Sequence, residues 1–268
     1  MGNGQTSSYG VDLKGAVTNP SGDVEEFGLQ VELTRVTTIL HSVFSESFAG
    51  ASYWGAKLGL AWGSDTELDD ENLEVLYAQY KKSDLAPNTV RDKAAKRGTS
   101  AHSVLELLAK GNTTDTARAV HATEWDGYCE GVVNFLTEAW FNIGDNDLEL
   151  LAERTLVSLK WHVAGTCDLM IRQDDSTTIL DLKTHAPAKE GRRRDGTYAE
   201  GSGPAYTSEL FQLDAYACMA EENGLGPVSD VGVILVDADG SWCLDMRSVP
   251  RGSFGRVLDV YKAMKSAG

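Results

Sequence analysis

The sequence has no uninterrupted apolar run of about 18 residues, which excludes a membrane-spanning helix. Its first ten residues, MGNGQTSSYG, lack the basic stretch and following apolar stretch of a secretory leader. They fit only the loose Met-Gly-x-x-x-Thr acylation pattern, so the expected location is the cytoplasm. Cysteine is scarce: the four residues, at 129, 167, 218 and 243, form no C-x-x-C pair. That dispersal excludes a zinc knuckle and a disulfide framework and reads as reduced thiols. No repeat of 20–50 residues and no low-complexity block is present. Basic residues are also in short supply, 24 against 40 acidic ones, for a net charge of −16. The global sum argues against a sequence-independent polyanion binder.

What is there reads differently when placed along the chain. With 268 residues, 42% apolar and 24% charged, the chain can bury a substantial core as one large domain or two small ones. Residues 121–150 carry seven acids and no Lys or Arg, whereas residues 81–110 carry seven bases against three acids. Residues 181–197 carry five bases against three acids. Two basic islands on an acidic protein can hold a phosphate backbone, because local potential decides that contact.

Residues 1–30, rich in Gly, Ser and Asn, read as a loosely ordered segment. Apolar spacing predicts helices over 37–62, 70–83, 89–110 and 116–140. Past residue 148 the period changes to two. LELLAERTLVSL, VAGTCDLMIR and TTILDLKT read as three successive strands, with turns at Lys160–His162 and Gln173–Ser176. A Gly- and Arg-rich stretch, a helix over 206–223, a hairpin about Ala238-Asp239-Gly240 and a final helix complete a mixed α/β plan.

Asp181 and Lys183 stand two apart on an otherwise apolar strand, so both side chains share a face about 7 Å apart along it. Asp168 closes the preceding strand, thirteen positions earlier. Two carboxylates and an ammonium at a sheet end are costly to bury unless they neutralise one another or hold a metal. His102 and Glu106 share a helix face after the basic stretch RDKAAKRGTSAH, as do Gln212 and Tyr216 on a later helix.

His102 in RGTSAH, Asp168 in GTCDLMI, Asp181-Leu182-Lys183-Thr184 and Gln212-x-x-x-Tyr216 occur in order across residues 90–225. Together they resemble the RecB-like branch of the PD-(D/E)XK nucleases, which includes many phage exonucleases; VTTIL at 36–40 and Trp54 resemble the phage members' N-terminal region. The resemblance implies a restriction-endonuclease-like core, a central mixed sheet flanked by helices, with a helical N-terminal region. Residues 31–268 would form one nuclease domain, 31–140 its helical part and 141–268 its catalytic α/β core. Asp168, Asp181 and the Leu182 carbonyl would ligate a divalent ion, with His102 a further, neutral ligand and Glu153 and Glu106 weaker candidates. That donor set suits Mg²⁺ or Mn²⁺. Lys183 would orient and help deprotonate the attacking water and stabilise phosphoryl charge, and Gln212 and Tyr216 would brace the site or touch the scissile-strand phosphate. Relatives with an iron–sulfur cluster need clustered cysteines, so none is expected here. Gly50-x-x-x-x-Gly55 is followed by Ala56-Lys57, which breaks the Walker A pattern and excludes a fused helicase motor.

The stretch after Lys183 holds Arg192, Arg193 and Arg194, which could close over a DNA end, with Lys96 and Arg97 adding positive charge. Tyr53, Trp54 and Trp62 could stack bases, although aromatics at helical spacing more often belong to a core. The expected activity is exonucleolytic hydrolysis of DNA, at duplex ends or on single strands, in phage recombination or replication within the host cytoplasm. An annealing or recombination protein would be a partner. The alternatives are a non-cleaving nucleic-acid or protein-binding module and a structure-specific endonuclease. The complete Asp–Asp–Lys set argues against the first, and a circular substrate separates the second.

Overall fold

A computed structural model describes residues 8–18, 24–44, 87–121, 124–140, 148–184 and 205–267. Its centre is a seven-stranded mixed sheet. β1 (Ser8–Thr18) and β2 (Val24–Arg35) form an antiparallel hairpin, with Val11 opposite Val31 and Leu13 opposite Leu29. β3 (Glu149–Ser158), β4 (Val163–Gln173) and β5 (Ser176–Lys183) are the three expected strands. β6 (Val228–Val236) pairs parallel to β5, and β7 (Trp242–Arg247) antiparallel to β6.

The opening hairpin was not expected. Gly, Ser and Asn over residues 1–30 suggested loose order, and the part before the three strands was read as helical. Alternation of apolar and polar residues in VDLKGAV and FGLQVEL carries the period-two signal that builds these strands.

Helices cover both faces. α1 (Val36–Val43) buries Val36, Ile39 and Leu40, the i, i+3, i+4 stripe of a helix lying on a core. It joins α5 (Thr207–Glu222) and α6 (Ser253–Ala267) over one apolar cluster, where Phe44 stacks on Phe211 at 5.2 Å. The buried Asp214 carboxylate in α5 accepts the Gly252 and Phe254 N–H groups at 3.0 and 2.7 Å, satisfying orphan donors at the start of α6. The other face carries α2 (Pro87–Ala109), α3 (Thr113–Val120) and α4 (Asp126–Phe135), with Phe135 edge-on to Trp242 at 5.3 Å. Among the described residues no helix is long and apolar enough to cross a membrane.

The helices expected over 89–110 and 206–223 are α2 and α5. The one expected over 116–140 is two helices and a π-turn at Leu136–Trp140. Both Val120 and Cys129 face the core, yet nine residues at about 100° each would set them on opposite sides of one continuous helix. The break restores their common face. Of the helix expected over 37–62 only α1 is described; the rest of it, the 70–83 helix, Tyr53, Trp54, Trp62 and Arg192–Arg194 lie outside the described residues.

Candidate active site

The site is a fork between β4 and β5. Their ladder runs from the Gln173–Ser176 pair to Leu169–Leu180 and stops. The next pair would be Asp168 with Asp181. There the Asp168 carboxylate takes over the backbone's role: its Oδ2 accepts the Leu182 N–H at 2.7 Å, so that buried donor is satisfied.

β3 breaks at the same level. Ala152–Leu169 and Arg154–Cys167 are paired, but Glu153 and Asp168 between them are not. Glu153 has φ +50°, a left-handed conformation that costs a non-glycine residue about 1–3 kcal/mol. Leu151 and Leu156, of opposite parity, pack into the same cluster, and so do Cys167 and Met170. Both strands therefore change face at this level, beside α2. Ala101, Val104 and Leu105 of α2 are buried against the sheet, leaving His102 at its edge. His102 Nδ1 lies 3.1 Å from Glu153 Oε1 and 3.5 Å from Asp168 Oδ1. Candidate ligand atoms of these three residues all fall within 4.8 Å of one another.

Asp181 and Lys183 form the second half. Asp181 is 1% exposed; its Oδ1 accepts Gln212 Nε2 at 2.8 Å and its Oδ2 meets the Lys183 ammonium at 2.5 Å. Gln212 Nε2 also donates to the Tyr216 hydroxyl at 3.2 Å. Tyr216 reaches this position because Gly165 gives way: a Cβ there would lie 2.6 Å from Tyr216 Cε1. Gly165→Ala should therefore displace the ring and cost about 1–3 kcal/mol. Urea unfolding checks this, and an unchanged midpoint would show that the ring relaxes freely.

Charge is tightly coupled here. Burial first, and then the Asp181 carboxylate, push the Asp168 pKa up to about 7, against the pull of His102, Lys183 and the Leu182 N–H. Burial works against protonation of His102, but the Glu153 hydrogen bond and the charges of Asp168, Glu153 and Asp181 raise its pKa overall. Burial likewise opposes the Lys183 charge, yet Asp181 and Asp168 more than compensate, so the ammonium persists at any working pH. Burial and the two aspartates keep the Tyr216 hydroxyl protonated.

An open cleft of about 630 Å³ leads to the His102 side, lined by Ala95, Gly98, Thr99, His102, Ser103, Glu106 and Glu153. Glu106 stands on its wall and pairs with Lys110 at 2.5 Å, away from the triad. Lys96 is exposed, whereas Arg97 is half-buried and fixed. The sequence ranks Glu153 among the weaker candidates, yet its carboxylate is among the three that converge. A readable signal was the break of period two, with adjacent Leu150-Leu151 and Leu156-Val157 flanking it. Buried Glu209, which accepts the Tyr206 N–H at 2.8 Å, had no signal beyond the capping-box spacing.

His102, Glu153 and Asp168 could hold a divalent cation, since hard oxygens and one imidazole are the donors Mg²⁺ and Mn²⁺ accept. A helix-flanked mixed sheet whose forked central strands carry two aspartates and a lysine defines a restriction-endonuclease-like nuclease core. Residues 76–241 match the PD-(D/E)XK nuclease superfamily, and the chain belongs to it. Among solved structures, a candidate exonuclease from Eubacterium rectale is similar with a TM-score of 0.40 at 9% identity, over 65% of this chain and 65% of that one. This chain thus spans slightly less than two thirds of that protein. The structure of the protein SSO0001 is similar with a TM-score of 0.30 at 9% identity, over 62% of this chain and 72% of that one. No curated protein matches the chain.

Proposed function

We propose that this nuclease is a Mg²⁺- or Mn²⁺-dependent deoxyribonuclease of the RecB-like branch. It degrades DNA from ends, in phage recombination or replication. The observation that carries the reading is the convergence of His102, Glu153 and Asp168 at one end of an open cleft, with the Asp181–Lys183 pair across the same fork. His102, Asp168, Asp181 and the Leu182 carbonyl would hold the ion, with Glu153 as an added donor. Held there, a divalent ion would supply Lewis acidity, activating water and offsetting negative charge at the reacting phosphate.

This chain's residues do the rest. Lys183, permanently charged, neutralises negative charge building on the phosphoryl oxygens and holds the attacking water. Gln212 fixes the Asp181 carboxylate from one side while Lys183 fixes it from the other. Tyr216, neutral and packed over Gly165, holds the Gln212 amide. End-labelled linear DNA and closed circular DNA, each incubated with Mg²⁺, Mn²⁺ or EDTA, test the reading. Loss of linear DNA alone, and only with metal, is expected; nicking of the circle makes the enzyme an endonuclease, and no cutting of either makes the fold a binding module. Asp181→Asn should abolish cutting and lower Mn²⁺ affinity at least tenfold in calorimetry; an unchanged affinity removes Asp181 from the ligand set.

A further inference from the structure

Resting on the nuclease reading above, we propose that Arg97 is a preorganised phosphate subsite beside the catalytic fork, engaging a backbone phosphate neighbouring the one that is cut. In a chain with 40 acidic residues for 24 basic ones, a half-buried cation readily finds a carboxylate. Arg172, Lys183 and Arg247 are half-buried and do so, meeting Glu149 at 2.6 Å, Asp181 at 2.5 Å and Asp245 at 2.8 Å. Arg97 is half-buried and meets none among the described residues. Its contacts are neutral: Nε donates to the Thr184 hydroxyl at 3.2 Å, and the guanidinium carbon lies 4.8 Å over the Tyr128 ring. Both terminal Nη groups are left without an acceptor among the described residues.

That arrangement is expensive for a structural arginine, because a partly desolvated charge is left without a counter-ion among the described residues. It suits an arginine that keeps its charge for an incoming anion. The stack and the single Nε bond fix the plane of the fork, and two parallel N–H groups match a phosphate's oxygens. The position selects the anion. Thr184 directly follows Lys183, about 3.3 Å further along the strand direction. Arg97 shares α2 with His102, and its neighbour Gly98 lines the cleft and faces Thr184. A polynucleotide lying across the fork would therefore bring an adjacent phosphate to Arg97. Lys96, one residue away, is exposed and has no such mount among the described residues.

Fluorescence anisotropy of a labelled duplex with a single-stranded overhang, with Ca²⁺ in place of Mg²⁺ and KCl varied from 50 to 300 mM, tests this. Arg97→Ala should weaken binding about tenfold and lower the slope of log affinity against log salt by about 1, the loss of one phosphate contact. Mn²⁺ affinity and melting temperature should stay at wild-type values. Arg97→Lys keeps the charge without the fork, so its slope should hold while affinity falls severalfold; it decides the matter if Arg97→Ala does not fold. Wild-type affinity and slope in these variants overturn the subsite, as does weaker binding in Arg97→Ala at an unchanged slope. The nuclease reading fails separately, if the wild-type protein binds the duplex yet cuts no DNA with Mg²⁺ or Mn²⁺. A wild-type protein that does not bind the duplex overturns both.

Discussion

Lys183→Ala is expected to lower DNA cleavage by about 10²–10³, the scale of deleting one electrostatic stabiliser of a transition state. Mn²⁺ binding should survive, because the ammonium is no ligand and its removal relieves repulsion toward a cation. Stability should respond in a way that identifies the pair. Asp181 is 1% exposed, and its Oδ2 meets only the Lys183 ammonium among the described residues. Truncating one partner of such a pair leaves a buried carboxylate unpaired, at a cost of about 3–5 kcal/mol. In EDTA the variant should therefore melt on the order of 10 °C below the wild type. Saturating Mg²⁺ should recover most of that deficit by supplying positive charge at the fork. Scanning fluorimetry with and without Mg²⁺, run beside the cleavage assay, checks both halves. A variant that melts low but cuts at the wild-type rate would reduce Lys183 to a structural ion-pair partner.

The part of this site that was legible in the sequence is the part that obeys a simple period. Asp181 and Lys183 share a face because strands alternate, and the run of apolar residues around them marks a buried strand. His102 follows from helical spacing in α2, and Gln212 and Tyr216 from the i, i+4 rule in α5. Features that interrupt a period were harder. Glu153 sits in a left-handed kink at which two strands exchange faces, and no rule of alternation survives such a point. α3 and α4 read as one helix until the 180° mismatch between Val120 and Cys129 is counted. The β1–β2 hairpin was hidden by composition, since Gly, Ser and Asn suggested loose order where the alternation of Val11, Leu13, Leu29 and Val31 specified strands. Lys96 and Arg97 are indistinguishable as charges in a row. Only the fold separates them, by setting one in solvent and the other on Tyr128.

Asp168→Asn is expected to abolish cleavage while making the metal-free protein more stable at alkaline pH. Asp168 is 7% exposed and shares the fork with Asp181, and its burial and that neighbouring charge together raise its pKa from 3.8 to about 7. Between those two values the folded protein holds a proton that the unfolded chain releases, so stability is greatest at acid pH and falls as pH rises toward 7. The slope is at most about 1.4 kcal/mol per pH unit, or roughly 3–6 °C of melting temperature per unit for a chain of this size. The raised pKa of His102 acts in the same direction, since its stabilisation as a cation is also lost as pH rises. Asparagine keeps an oxygen for the Leu182 N–H but cannot ionise, so it removes the Asp168 contribution and, with it, part of the charge that raises His102. Melting curves in EDTA from pH 5 to 8 should therefore slope downward in the wild type and be distinctly flatter in the variant. With Mn²⁺ the order reverses: metal must displace the protons that the fork retains, so its affinity for the wild type climbs with pH up to about 7. The variant should gain no stability from Mn²⁺ at any pH. Equal slopes for the two proteins in EDTA would mean that Asp168 ionises like an ordinary carboxylate and that the fork is not built to exchange a proton for a cation.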